Sequence, residues 1–451
     1  MKAKPAILSS LFLIISLLFI TTIHASLQDS SDASLQCHQH DNILYVGGSG
    51  PNNYTSIQSA INDADNGYTI YVYHGIYQEN IVIHKSISLI GISENGEKPI
   101  INTSENKSTV TIIADNCILR GFTVKSRPDF NSENPPACYM QSNNSIVDNN
   151  TFLYGEYACY MYNSSYNTVQ YNEFIHGYNG GLRTYHGKYN TFAYNIAKEK
   201  QLVGLFFVGD SNSVILGNTA TNNIHGMSVD DSSNCAISDN LIHDNIQYGF
   251  TASMSSNLSI SNNTVYSHYY GGMMLMDCSY CTVSGNEIYD NGWGISLESN
   301  WYQYRTRNKN NLVIRNTITE NGVGIALLTG SKNNSIIENN LINNSRNSWF
   351  SLYIDISEPN TPHPLYNEWD GNYWSEWESS SPRPIKGVVT VYLGRKSIFL
   401  NIPWFMFDKH PATQPCGNFT LDNTAKPDYF MEKERLSFFC PHSPIGRDIK
   451  P

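Results

Sequence analysis

The sequence predicts an all-β chain wound as a parallel β-helix, on three observations. An asparagine recurs at a fixed interval, a glycine recurs in step with it, and apolar residues alternate at period two around both. The asparagines are Asn150, Asn172, Asn195, Asn218, Asn240, Asn263, Asn286, Asn316 and Asn340, at intervals of 22–24 residues apart from one of 30. The glycines are Gly181, Gly204, Gly226, Gly249, Gly272, Gly294 and Gly324. A period of this length marks a repeat architecture, in which each unit buries its apolar side only by stacking on its neighbours.

The strands follow from the columns. Three residues before each asparagine stand Val147, Val169, Phe192, Ile215, Ile237, Ile260, Val283, Val313 and Ile337; two after it stand Phe152, Phe174, Ala197, Ala220, Ile242, Val265, Ile288, Ile318 and Ile342. The first and third positions after each glycine are also largely apolar, as in Leu205 and Phe207 or Ile295 and Leu297. Alternation at period two means strands with one face inward, so each repeat holds three short strands. That is too few residues for a propeller blade of roughly 40. It fits one coil whose strands pair with their equivalents about 4.8 Å along the axis. The asparagine is expected at a tight bend, its amide bonding backbone and the amides of adjacent coils. The glycine suits either a positive φ or a close backbone approach.

At the N-terminus, Thr55-Ser-Ile-Gln58 reads as a capping box that opens a short amphipathic helix to about Ala64. Such a helix covers strand edges that would otherwise invite aggregation. Before it, residues 1–25 carry Lys2 and Lys4, an apolar run from Ala6 to Ile20 and a small-residue site at Ile23-His24-Ala25. This pattern predicts an export signal, with an uncleaved membrane anchor as the alternative; no other segment is apolar enough to span. Residues 26–40 read as a flexible segment, 41–377 as the β-helix with its N-terminal cap, and 378–451 as a β-rich C-terminal cap and tail closing beyond Trp369–Trp377. Secreted, extracytoplasmic or cell-surface placement follows.

The nine cysteines are odd in number for an exported chain. Cys138 and Cys159 share a column and are read as a bridge or as stacked thiols, Cys278 and Cys281 as a local disulfide or as packing, and Cys416 with Cys440 as a candidate disulfide. Cys37, His38 and His40 form a weak metal-like cluster, so no metal or cofactor is assigned. A net charge of −11 with 28 basic residues argues against nucleic acid as a partner.

Chemistry is expected on the outward positions, the second and fourth after each glycine. There Tyr139, Tyr160, Tyr162, Tyr185 and Phe206 make an aromatic strip, joined by Arg183, His186, Asp277 and Glu298 as polar groups for sugar hydroxyls, with Trp301 on the inserted loop 300–311. The bland alternative is same-face aromatics that only stabilise a sheet. Asp230 and Asp231 are the candidate catalytic carboxylates, since glycoside hydrolysis needs one acid and one base. Asp210 lies one coil before them.

The runs Asn144–Phe152 and Asn310–Ile318, the opening Tyr54–Ile61 and Ile76–Ile83, and the closing Gly371-Asn-Tyr-Trp-Ser375 resemble the NosD-like family. The resemblance covers about residues 41–377 and implies a single-stranded right-handed parallel β-helix of the pectin-lyase-like superfamily. Its functions range over copper-site maturation, surface proteins, epimerases and hydrolases, so it is specific for fold alone. Departures narrow the choice. No Gly-His-Gly follows the paired aspartates, as it does in polygalacturonases. Where alginate epimerases carry Tyr-Gly-Phe-Asp-Pro-His, this chain has Tyr248-Gly-Phe-Thr-Ala-Ser253. A copper role would draw on Met254, Met273, Met274, Met276, His243 and His268, but methionine is also a common core filler. The leading expectation is a non-catalytic β-helix binding polysaccharide or cell-surface glycan. The alternatives are a polysaccharide hydrolase or lyase, a copper-handling protein and an architectural surface module.

Overall fold

A computed structural model describes residues 42–128, 134–199, 202–299, 308–355, 367–392 and 399–417. The expected signal, the Cys37–His40 cluster, Trp301 and Cys440 lie outside the described residues. The chain is all-β, a right-handed parallel solenoid of about 13 turns. Thr168–Gln170, Glu173–Ile175 and Gly180–Tyr185 pair in parallel with Thr191–Ala193, Ile196–Lys198 and Val203–Val208 of the following coil. Inward positions stack like on like: the Phe152 and Phe174 rings lie 5.6 Å apart and 10° from parallel. The core column Leu205, Met227, Phe250, Met273, Ile295 and Ile325 is fully buried. Each such side chain contributes about 1.5–3 kcal/mol that one coil alone could not retain.

The asparagine ladder is buried and continuous. The Asn172 backbone N–H and Nδ2 both donate to Asn195 Oδ1, each at 3.0 Å, while Asn195 Nδ2 donates back to the Val169 carbonyl at 2.8 Å. The same pattern runs from Asn150 to Asn316 and then through Asn339, not the expected Asn340. Counting from Asn339 also places Ile336 and Leu341, rather than Ile337 and Ile342, in the apolar columns. The ladder goes on through Asn372 and ends on Asp408, whose Oδ2 accepts from the Asn372 N–H, Asn372 Nδ2 and Trp374 Nε1. A second ladder, Asn223–Asn245–His268–Asn291–Asn321–Asn344, lines another corner.

The unusual dihedral falls one residue before the ladder asparagine, at Asn149, Tyr171, Tyr194, Asp239, Asn262, Arg315 and Glu338 with φ between 53° and 57°, and at Gly217 and Gly285 with φ 63° and 64°. Tyrosine is a poor residue for this region. Ring stacking between coils offsets the strain, with Tyr171–Tyr194 at 5.2 Å and Tyr166–Tyr189 at 5.0 Å. The glycine column does not use positive φ. A methyl at Gly226 would stand 2.6 Å from both the Gly249 carbonyl oxygen and Ile242 Cγ2, so close approach is the reason for glycine.

Helix α1 (Ile57–Asp63) caps the first coils with Ile57, Ala60 and Ile61 buried. Its N-cap is Ser56 rather than the expected Thr55–Gln58 box. The Glu79 carboxylate, from a following coil, accepts from the Ile57 and Gln58 N–H groups at 2.8 and 3.0 Å. At the other end, Arg383–Tyr392 extends the sheet past residue 377 by pairing in parallel with Arg346–Asp355, then turns back antiparallel as Phe399–Asp408. Cys138, Cys159, Cys278, Cys281 and Cys416 are free thiols, the first four buried.

Candidate functional site

Tyr139, Tyr160, Arg183 and Phe206 occupy one register column in successive strands, and Tyr162, Tyr185 and Val208 the neighbouring one. Inward Met161, Thr184 and Phe207 between them turn these side chains outward. They are half-buried because they cover one another. Tyr139 and Tyr160 meet edge-on at 5.9 Å, and Tyr162 and Tyr185 stack at 5.8 Å, 5° from parallel. The exposed His186 ring packs edge-on against Tyr185 at 4.1 Å.

Arg183 is the centre of the strip. Its guanidinium carbon lies 5.1–6.0 Å from the ring centroids of Tyr157, Tyr160, Tyr185 and Phe206, within cation–π range. Nη1 donates to the Tyr157 hydroxyl at 2.6 Å, whereas the buried Nε has no hydrogen-bond partner among the described residues. Nor does any carboxylate there pair with Arg183. Burial raises the Tyr157 and Tyr160 hydroxyls above their ordinary range, opposed by the Arg183 charge. Tyr157, 6% exposed, was not among the expected site residues. It aligns with Gly180 in the next coil, a column whose glycine hides the signal.

Further along the same face the strip thins. Ser228 and Ser296 are 6% exposed and Ala326 is wholly buried, so the outward column is not open at every coil as expected.

The acids divide into three environments. Asp230 ends the strand His225–Asp230 and accepts from Ser228 Oγ at 2.9 Å; burial raises its carboxyl, with the Ser228 and Ser253 hydrogen bonds opposing. Asp231 follows in the turn, exposed, at φ 49°. Asp210 does not join them on the surface. It is 1% exposed, accepts from Thr184 Oγ1, and burial pushes its carboxyl up to about 6. A folded-state value above the unfolded one means stability is fully present below about 3.8 and is lost as pH rises through 6.

The third environment pairs Glu298 with Asp277. Met276 and Glu298 are in register, and the Asp277 N–H donates to the Glu298 carbonyl at 2.9 Å. Burial first, then the Asp277 charge, pushes the Glu298 carboxyl up to about 7.

Of the methionines and histidines, Met273 and His268 are buried in the core and in the second ladder, while Met254 is exposed. No helix among the described residues is long and apolar enough to cross a membrane.

Three known proteins are similar to parts of this chain. A stretch of 105 residues is 37% identical to a "Cell surface glycoprotein" of Methanothermus fervidus, covering 23% of this chain and 17% of that one. The Azotobacter vinelandii mannuronan C-5 epimerase AlgE6 A-module superposes with a TM-score of 0.53 at 16% identity, over 64% of this chain and 89% of that one. The Dettilon tailspike protein gives a TM-score of 0.46 at 14% identity, over 77% and 74%. The family model "Right handed beta helix region" matches residues 104–234 and 203–353. These overlapping matches take in more than half of the 451 residues, and the chain belongs to that right-handed β-helix family.

Proposed function

We propose that this protein is an exported or cell-surface β-helix that binds glycan along the strip centred on Arg183, without turning it over. The single observation carrying this reading is a half-buried guanidinium, framed by four aromatic rings, that pairs with no carboxylate among the described residues. Aromatic surfaces pack against the apolar faces of sugar rings, and a cation held on a rigid sheet selects polar sugar groups. The N-terminal export pattern and the similarity to a cell surface glycoprotein support the placement. The absence of the polygalacturonase and epimerase sequence motifs supports binding over turnover.

Binding on a glycan array, followed by titration of the best ligand, tests it. Tyr160→Ala with Tyr185→Ala is expected to weaken binding about tenfold or more, some 1.4 kcal/mol or above. Unchanged affinity in a variant that keeps its far-ultraviolet circular dichroism sinks the site.

A second reading, a polysaccharide hydrolase, is favoured by the Glu298–Asp277 pair. A carboxyl pushed up to about 7 is half protonated at neutral pH and can donate to a leaving group, with a second carboxylate beside it. The originally expected Asp230 and Asp231 serve this less well, because consecutive residues in a strand and its turn face different directions. Reducing-end release from a polysaccharide panel, falling about a hundredfold or more in Glu298→Gln, would establish it. No turnover on any polymer excludes it.

A further inference from the structure

A second polar site lies at the C-terminal end of the same face. A cavity of about 600 Å³ opens between the turn before Arg346–Asp355, the residues after Trp374 and the start of Arg383–Tyr392. Such a volume accommodates one or two sugar rings.

Its charges do not cancel. Arg383 is spent: it pairs with Glu376 and lies over the Trp374 ring, its guanidinium carbon 3.7 Å from the centroid. Asn347 Nδ2 donates to the other Glu376 oxygen, so the one acid lining the cavity is satisfied from within. Arg346 and Lys386 remain, exposed, with no carboxylate partner among the described residues. The Arg346 guanidinium carbon lies over the half-buried Trp349 ring, 4.5 Å from its centroid. That cation–π contact holds the guanidinium at the cavity. Two uncompensated cations on one cavity stand out in a chain of net charge −11.

A backbone donor completes the site. In the second asparagine ladder each backbone N–H is taken by the side chain one coil on, down to Asn321, whose N–H donates to Asn344 Oδ1 at 2.9 Å. Asn344 is the last rung. Its own N–H has no acceptor among the described residues, and Asn344 lines the cavity. Its Nδ2 is occupied, donating to the Ile318 carbonyl and to Asn347 Oδ1.

We infer that this cavity binds an anionic sugar unit, with the carboxylate or sulfate on Arg346 and Lys386, a hydroxyl oxygen on the Asn344 N–H, and Trp349 as an apolar wall. The site is independent of the Arg183 strip. Trp349 stands in the same outward column as Arg183, seven coils further on. At about 4.8 Å per coil that is roughly 34 Å, beyond the reach of a disaccharide spanning both.

Titration calorimetry of the full chain carrying Tyr160→Ala and Tyr185→Ala, in which the strip no longer contributes, tests it with three probes: a glucuronate-containing disaccharide, a sulfated disaccharide and a neutral N-acetyllactosamine. The inference expects binding of the glucuronate probe, the sulfated probe or both, with affinity falling as salt rises and no binding of the neutral sugar. Arg346→Gln and, separately, Lys386→Gln are expected to weaken the anionic probes about tenfold or more. Because the strip is disabled throughout by Tyr160→Ala and Tyr185→Ala, failure of this site and failure of the strip are read separately. Equal binding of all three probes, binding of none, indifference to Arg346→Gln and Lys386→Gln, or inorganic sulfate binding as tightly as the sugars would each overturn it.

Discussion

Asn195→Ala is expected to destabilise the fold by about 3–5 kcal/mol, read as a fall in the denaturant midpoint. The truncation removes four hydrogen bonds at once. Asn195 Oδ1 no longer accepts from the Asn172 N–H and Nδ2, and its Nδ2 no longer donates to the Val169 carbonyl and Asn218 Oδ1. All of these groups are buried, so the orphaned donors and acceptor find no water. The exposed turn residue Asn52, outside the left-handed region, provides the control, since Asn52→Ala removes no ladder bond. A loss below about 1 kcal/mol at Asn195 would show that the ladder is a by-product of coil stacking rather than a source of stability.

His268 should cost the fold about 3 kcal/mol as pH falls from 6.5 to 4, against opposite contributions from Asp210 and Glu298 in the same window, so its share is read as the difference between the protein and a His268 variant. The imidazole replaces a carboxamide as a rung of the second ladder. Nδ1 accepts from the Asn245 N–H at 3.2 Å, while the buried Nε2 has no partner among the described residues. Burial holds the ring down at about 4, against its bonds to the Asn245 and Ile242 backbone and the Asp244 charge, which raise it. His243 lowers it further. The sign follows from proton binding. Between 4 and 6.5 the unfolded chain holds the proton and the folded chain does not, so stability is complete above about 6.5 and lost as pH falls. His268→Asn restores the usual rung and should gain stability relative to the unsubstituted protein as pH falls from 6.5 to 4, without lowering the neutral-pH midpoint. An unchanged pH slope in that variant would assign the acid sensitivity to other groups.

The fold was legible because repetition averages over local ambiguity. One Val-x-x-Asn-x-Phe segment says little, but the columns through Val147 and Phe152 repeat until only stacked coils satisfy them. Asn339 was misread because Asn339 and Asn340 are adjacent, and only the hydrogen bond from the Asn316 N–H separates them. The positive φ escaped notice since its position holds Asn, Tyr, Asp, Gly, Arg and Glu in different coils, with no common side-chain signature. The outward tyrosines were readable from alternation alone. Tyr157, the Glu79 cap on α1 and the Arg346 cavity depend on which coil lies above which, and spacing within one repeat does not carry that information.

The ladder that ends on Asp408 also gives the rod a polarity. Each carboxamide turns its carbonyl to the preceding coil and offers an N–H to the next, so the side-chain dipoles add head to tail, much as peptide units do in a helix. The positive pole emerges at the C-terminal end, and the chain stations an anion there. Coils can therefore be inserted mid-rod without electrostatic penalty, whereas lengthening from that end would require the terminal carboxylate to be displaced.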